Sequence, residues 1–261
     1  GAGELTDVAG TANETWFNSY HAYNDHLQFL RDLQSSYPDR SAIVTAGNSN
    51  GGRAITGIHF WGDSGKGKPA VVFHGTVHAR EWITTMVIAA LAGMGGHNLT
   101  DRDQVVEYFA YYMLTNSNTT EMKSFLNKYD FYFFPIVNPD GKQPYILRII
   151  PMGFSNSAGF VYTQTNDRLW RKNRQTNSGS SCVGRDINRN WPYQWSVSGG
   201  ASTNPCAEDY KGAKQSDAPE TTALAAWLTN IKSSQGIKLY IDWHSYSQLF
   251  MTRTRAAASP P

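Results

Sequence analysis

The sequence predicts an α/β domain, a mixed central sheet flanked by helices on both faces. Short apolar runs rich in β-branched and aromatic residues alternate with stretches of helical periodicity. Some of those runs are apolar throughout, as in strands buried on both faces. Two histidines, His78 and His244, follow directly on strand ends, where sheets of this class bind ligands. At 261 residues the chain suffices for one large domain or two small ones.

The elements follow in order. In "YHAYNDHLQFLRDLQSSYPDR", Tyr23, Leu27, Leu30 and Leu33 recur at helical spacing, and Pro38 stops the pattern. "AITGIHFWG" and "PAVVFHG" read as strands, the second leading into the loop that holds His78. "EYFAYYML" continues a helical pattern. "YDFYFFPIV" is a buried strand ending in the turn "NPDG". "PETTALAAWLTNIKSS" is a helix with Pro219 at its start and Leu224, Trp227, Leu228 and Ile231 on one face. "GIKLYIDWH" is a strand that delivers His244 at its carboxyl end.

Composition narrows the function. A net charge of +2 with interspersed signs forms no basic stripe, which argues against a nucleic-acid partner. The longest apolar run is broken by Gly93, Gly95 and Gly96, so no membrane span is expected. The opening "GAGELTDVAG" lacks a basic and apolar leader and reads as a processed or trimmed start. Three Asn-x-Ser/Thr sequons, at Asn13, Asn98 and Asn118, suggest secretion, where a Cys182–Cys206 bridge would persist. Such a bridge would contribute about 3 kcal/mol by restricting the unfolded chain.

"GTVHAREWITTM" sets His78 and Glu81 three apart, so that imidazole and carboxylate can converge on one cation at a tight turn. Catalytic zinc commonly takes three protein ligands, such as two His and one Glu, and keeps a fourth position for water. His244, at another strand end, can complete that set. "RLWRKNR" carries Arg168, Arg171 and Arg174, and "RDINRNW" carries Arg185, Asn188 and Arg189. Guanidinium groups beside such a site suit a bidentate grip on a carboxylate.

Together, "HAREW", "LWRKNR", "DINRNW" and "HSYSQL" give a chain that resembles the secreted zinc metallocarboxypeptidases of the carboxypeptidase A type, from about residue 15 to residue 252. The resemblance implies one Zn²⁺ held by His78, Glu81 and His244. It implies that Arg171 polarises the scissile carbonyl, that Asn188 and Arg189 grip the substrate's C-terminal carboxylate, and that Arg80 serves a subsite. It also implies a disulfide between Cys182 and Cys206, a mixed eight-stranded sheet, and a monomer acting on peptide or protein C-termini. Residues 1–14 would be an N-terminal extension.

The chain departs from the family in three places. "SYSQLFMTRTRAAASPP", after His244, holds no acidic residue, whereas the family's general base is a glutamate downstream of the third ligand. The last strands and helices of the fold, the substrate-capping tyrosine and the base of the specificity pocket would also be missing. Residues 253–261 read as an atypical tail. A chain of this extent is therefore expected to have little or no carboxypeptidase activity and poor solubility. Finally, residues 87–104 and 142–159, 18 residues each, look foreign, because removing them restores uninterrupted family-like sequence. Their codons can carry intron signals: Val87 must begin GT, Gln104 can be CAG, and Gly141-Lys142 can read GGTAAG. A retained-intron origin is favoured over two genuine surface loops, which a domain tolerates because loop-closure entropy grows slowly with length, and it would make the Asn98 sequon an artefact.

Two alternatives keep the zinc site. One is a zinc amidohydrolase acting on N-acyl amino acids, which the paired arginine motifs and the bridge disfavour. The other is a non-catalytic zinc- or peptide-binding domain.

Overall fold

The structure is a computed structural model that describes residues 12–85, 106–140, 159–246 and 249–252. The two 18-residue segments (apart from Gly159), the Asn98 sequon and the tail lie outside the described residues. Helix α1 (Tyr23–Ser36) buries Tyr23, His26, Phe29, Leu30 and Leu33 along one stripe. It ends at Tyr37, whose backbone is held out of the helical region by the ring of Pro38.

Five strands form one sheet: β1 (Ser41–Asn48), β2 (Ala54–Phe60), β3 (Ala70–His74), β4 (Asp130–Phe134) and β5 (Ile237–Asp242), in the order β1-β2-β4-β3-β5. The β1–β2 and β2–β4 pairs are antiparallel, and the β4–β3 and β3–β5 pairs are parallel. The sheet is mixed, as the sequence predicts. Among the described residues it has five strands rather than the eight that the resemblance implies. Strand β1 had no counterpart among the expected elements.

Period-two alternation divides the central strands between two cores. Val71, Phe131 and Phe133 pack with Phe29, Leu30 and Leu33 of α1, and with Val106, Ala110 and Leu114 of α2 (Val106–Thr115). Ala70, Val72, Tyr132 and Phe134 face the other way, onto Leu224, Trp227, Leu228 and Ile231 of α5 (Pro219–Ser234). Helices thus cover both faces, and burial of each such large side chain contributes on the order of 2–3 kcal/mol. Helix α5 starts on Pro219, whose missing N–H costs nothing in the first turn. Two short helices complete the described chain: α3 (Thr120–Leu126), capped by Thr119, and α4 (Gly159–Thr165).

Among the described residues β5 lies at the sheet edge, and its Leu239 and Tyr240 are 45% and 38% exposed. Among the described residues no helix is long and apolar enough to cross a membrane. A disulfide joins Cys182 to Cys206.

Backbone bonds also link described residues on either side of residues 86–105 and 141–158. The Glu107 N–H donates to the Thr85 carbonyl at 3.1 Å, and the Phe160 N–H to the Asn138 carbonyl at 2.9 Å. Val161 and Tyr162 both donate to the Asp140 carbonyl, at 3.0 and 3.3 Å.

Candidate metal centre

Beyond His74 the chain leaves β3 but keeps its partners. Gly75 N–H donates to Phe134 O, and Val137 and Asn138 donate back to Gly75 O and Thr76 O. Thr76 adopts φ 50, and its N–H donates to the Thr84 hydroxyl at 2.7 Å. Its own hydroxyl touches those of Thr84 and Thr85. The Asn138 amide holds Val77 O at 3.1 Å, and Ala79 N–H donates to Arg171 O at 3.0 Å. The loop that aims His78 and Glu81 is therefore tied to three separate segments.

His244 arrives from β5, still paired through Trp243 N–H to His74 O at 2.9 Å. His78 Nδ1 lies 2.8 Å from Glu81 Oε1, His244 Nδ1 lies 3.1 Å from Glu81 Oε2, and the two Nδ1 atoms are 3.1 Å apart. One ligand atom from each residue falls within 4.8 Å of the others.

The opposite ring nitrogens face carboxylates. His78 Nε2 is 3.0 Å from Asp186 Oδ1, and His244 Nε2 is 2.9 Å from Asp242 Oδ2. An imidazole that donates through Nε2–H presents a lone pair at Nδ1. Two ring nitrogens at this range, beside a carboxylate, are held together by a proton or a metal ion between them. Two nitrogens and one oxygen form the donor set of a catalytic zinc site with one open position. The residues fit the metal.

Electrostatics agree. Burial acts to raise the Glu81 pKa, but hydrogen bonds from His244 and His78 outweigh it and lower it to about 2. Burial likewise opposes ionisation of Asp186, and the His78 and Arg171 contacts bring it down to about 2. Burial acts against a charged His244, yet Asp242 and Glu81 push its pKa up to about 10.

Arg171 stands in the site. Its Nε and Nη2 donate to Asp186 Oδ2 at 3.1 and 2.8 Å, and Nη1 faces Glu81 at 3.9 Å. The Asn188 amide nitrogen is 3.3 Å from His244 Nε2. Arg189 borders a pocket of about 180 Å³ together with Asn188, Trp191, Tyr193 and Lys211. Its Nε is buried and has no partner among the described residues. Arg80 points elsewhere: its Nη1 binds Leu169 O at 3.1 Å and Glu208 at 2.9 Å. The remaining arginines of the two motifs pack outside the triad. Arg168 and Arg174 stack on Trp82 and Trp170, and Arg185 pairs with Asp217 at 2.8 Å.

Sequence reasoning missed Asp186 and Asp242. A signal existed for each: Asp186 opens the "DINRNW" motif, and Asp242 sits two positions before His244, on the same face of its strand.

A family profile described as zinc carboxypeptidase matches residues 26–94 and 102–261, and its break falls within the first 18-residue segment. A metallocarboxypeptidase A-like protein of Trichophyton verrucosum is 46% identical over 250 residues, covering 95% of this chain and 50% of its own length. The metallocarboxypeptidase A of Trichophyton rubrum is 45% identical over 239 residues, 91% of this chain and 48% of its own. The chain spans about half the length of the curated relatives it matches. Among solved structures, that of thrombin activatable fibrinolysis inhibitor superposes with TM-score 0.72 at 26% identity, over 95% of this chain and 56% of that one. The carboxypeptidase A of Helicoverpa armigera shares the fold, with TM-score 0.66 at 24% identity over 88% and 47% of the two chains.

Proposed function

We propose, from the premise that this chain belongs to the zinc carboxypeptidase family, that it carries the metal centre and carboxylate clamp of a secreted exopeptidase releasing C-terminal amino acids from peptides and proteins. The observation that carries this reading is the pair of facing Nδ1 atoms, 3.1 Å apart, each on a ring whose other nitrogen meets a carboxylate.

His78, Glu81 and His244 hold one Zn²⁺. When bound, zinc supplies a water of lowered pKa and polarises the scissile carbonyl. Arg171, anchored through Asp186, keeps Nη1 toward the site for the developing oxyanion. Arg189, which borders the pocket, and Asn188 take the terminal carboxylate. Holding that group restricts cleavage to the last peptide bond. Arg80 serves an outer subsite near Glu208.

Glu81 is engaged as a ligand and cannot also act as base. Among the residues given after His244 there is no Asp or Glu. Proton transfer is commonly worth about 10²–10⁴ in rate. Secretion is supported by the disulfide and by the exposed Asn118 sequon, with Asn13 as a second. A monomeric state completes the reading.

The test uses a blocked dipeptide with a free carboxylate and its amide. The zinc-loaded chain should bind the acid about tenfold or more tightly than the amide, a difference of about 1.4 kcal/mol. Arg189→Ala should erase that preference. Equal binding of acid and amide by the unaltered protein would remove the exopeptidase reading in favour of a plain zinc-binding domain.

A further inference from the structure

Parallel pairing sets His74 of β3 directly beside Asp242 of β5. Tyr240 and Asp242 share one face of β5, because side chains alternate along a strand. Four groups then follow in line. The Tyr240 hydroxyl is hydrogen-bonded to His74 Nε2. His74 Nδ1 faces Asp242 Oδ1 at 3.3 Å, and neither atom has another partner among the described residues. Asp242 Oδ2 reaches His244 Nε2 at 2.9 Å.

One pattern of protons satisfies the whole line. The tyrosine O–H donates to Nε2 of a neutral His74, whose Nδ1–H donates to Asp242. The second carboxylate oxygen then accepts from His244 Nε2–H, which turns His244 Nδ1 toward the triad. Burial supports a neutral His74, since it lowers that residue's pKa.

We infer that Asp242, steadied by His74 and Tyr240, is a positioning residue that fixes the ring orientation and tautomer of His244 for metal binding. It does for His244 what Asp186 does for His78, so each ligand histidine is braced from behind by a carboxylate. The inference rests on the metal-centre reading above.

Asn188 also approaches His244 Nε2, at 3.3 Å, so the test must separate the two. Zinc affinity of the full chain is measured by competition with a chromophoric chelator, together with the visible spectrum of the Co²⁺ form. Asp242→Asn is expected to weaken zinc binding by about 10–100-fold and to shift the Co²⁺ bands. Tyr240→Phe should give a smaller loss in the same direction. Thermal unfolding of the metal-free variants controls for folding, and Asp242→Glu should recover part of the affinity if Asp242→Asn unfolds. Unchanged affinity and spectrum in Asp242→Asn, with a loss in Asn188→Ala, would assign the role to Asn188 and overturn the inference. Absence of zinc binding in the unaltered protein would instead overturn the metal centre itself.

A second inference comes from independent bonds. With 18 residues removed from each segment, Glu107 stands four positions after Thr85, Phe160 four after Asn138, and Tyr162 four after Asp140. All three N–H groups donate to those very carbonyls, which is the α-helical pattern. Thr85 already has helical angles, φ −66 and ψ −45. Gly159 occupies a position where a Cβ would fall 2.1 Å from Asn138 Oδ1, and the glycine at 141 could fill it equally well.

The geometry points to residues 87–104 and 142–159 being insertions at two positions where the flanking residues already bond to one another in helical register. A short 3-10 helix, Trp82–Thr84, follows the ligand Glu81 directly. A protein lacking both segments should keep its zinc affinity within about twofold and unfold at an equal or higher temperature. Removing 87–103 instead turns the following helix by about 100° and should abolish folding or zinc binding. Loss of either property in the 18-residue deletion, or equal behaviour of the register-shifted control, overturns the inference.

Discussion

Four carboxylates are buried in two places, and they titrate in opposite directions. Glu81 and Asp186, at the metal centre, are both lowered to about 2. Asp140 and Glu220, where the β1–β2 turn meets the start of α5, are both raised, Glu220 to about 7. Burial pushes all four the same way, so the partners decide. The first pair faces two imidazoles and Arg171. The second receives neutral donors: the Ser49 hydroxyl and Gly51 N–H on Asp140, and Asn50 N–H and the Asn173 amide on Glu220. Arg53, at 3.5 Å from Asp140, is the cation within salt-bridge reach there. One cluster is built to hold negative charge against a cation, the other to join chain segments. Burial alone does not tell them apart.

The largest test removes a ligand. Glu81→Ala should cost about 4 kcal/mol of zinc binding, about a thousand-fold, in a chelator titration. Glu220→Ala should leave zinc affinity unchanged, and an equal loss in both would break the contrast.

Next comes pH. The folded Glu220 holds its proton up to about 7, while the unfolded chain releases it near 4.5. Its contribution to stability is therefore greatest below about 4.5, falls as pH rises toward about 7, and is level above. The change amounts to about 3 kcal/mol. Urea unfolding at pH 4.5 and pH 8 should show this slope, and Glu220→Gln should reduce it, Asp140 and His244 contributing the remainder. The metal-side carboxylates stay ionised across that range, so Asp186→Asn should leave this particular slope in place.

A smaller effect sharpens the joint's role. Ser49→Ala removes a donor from Asp140 and should cost about 1–2 kcal/mol of stability, measured by urea unfolding, with zinc affinity unaltered. A change in zinc affinity would mean that the two clusters communicate.

The same contrast explains what could be read from the sequence. β4 was legible because "DFYFF" is buried along its whole length and reads as an unbroken apolar run. β1 was not, since its buried and exposed positions alternate irregularly and Ile43 is 38% exposed. Helices α3 and α4 are too short to display a stripe, although Thr119 before α3 is a readable cap. His78 and Glu81 were legible by spacing, and His244 by its place at a strand end. Asp186 was not, because it stands 108 positions from the ring it braces. Only the fold brings such pairs together.

Thr76 holds a left-handed turn that glycine enters freely and a β-branched residue resists by about 1–3 kcal/mol. The hydroxyls of Thr84 and Thr85 latch it. Opening of that latch is expected to release the turn and, with it, His78 two positions on. The Thr76 amide, bonded to the Thr84 hydroxyl, becomes an intrinsic clock for that event. Its hydrogen exchange should slow on zinc loading, by more than exchange at Gly51 in the distant joint. Thr76→Gly should relax the turn but deprive the buried Thr85 hydroxyl of its partner, two opposing effects of about 1–3 kcal/mol each, and should reduce that exchange difference.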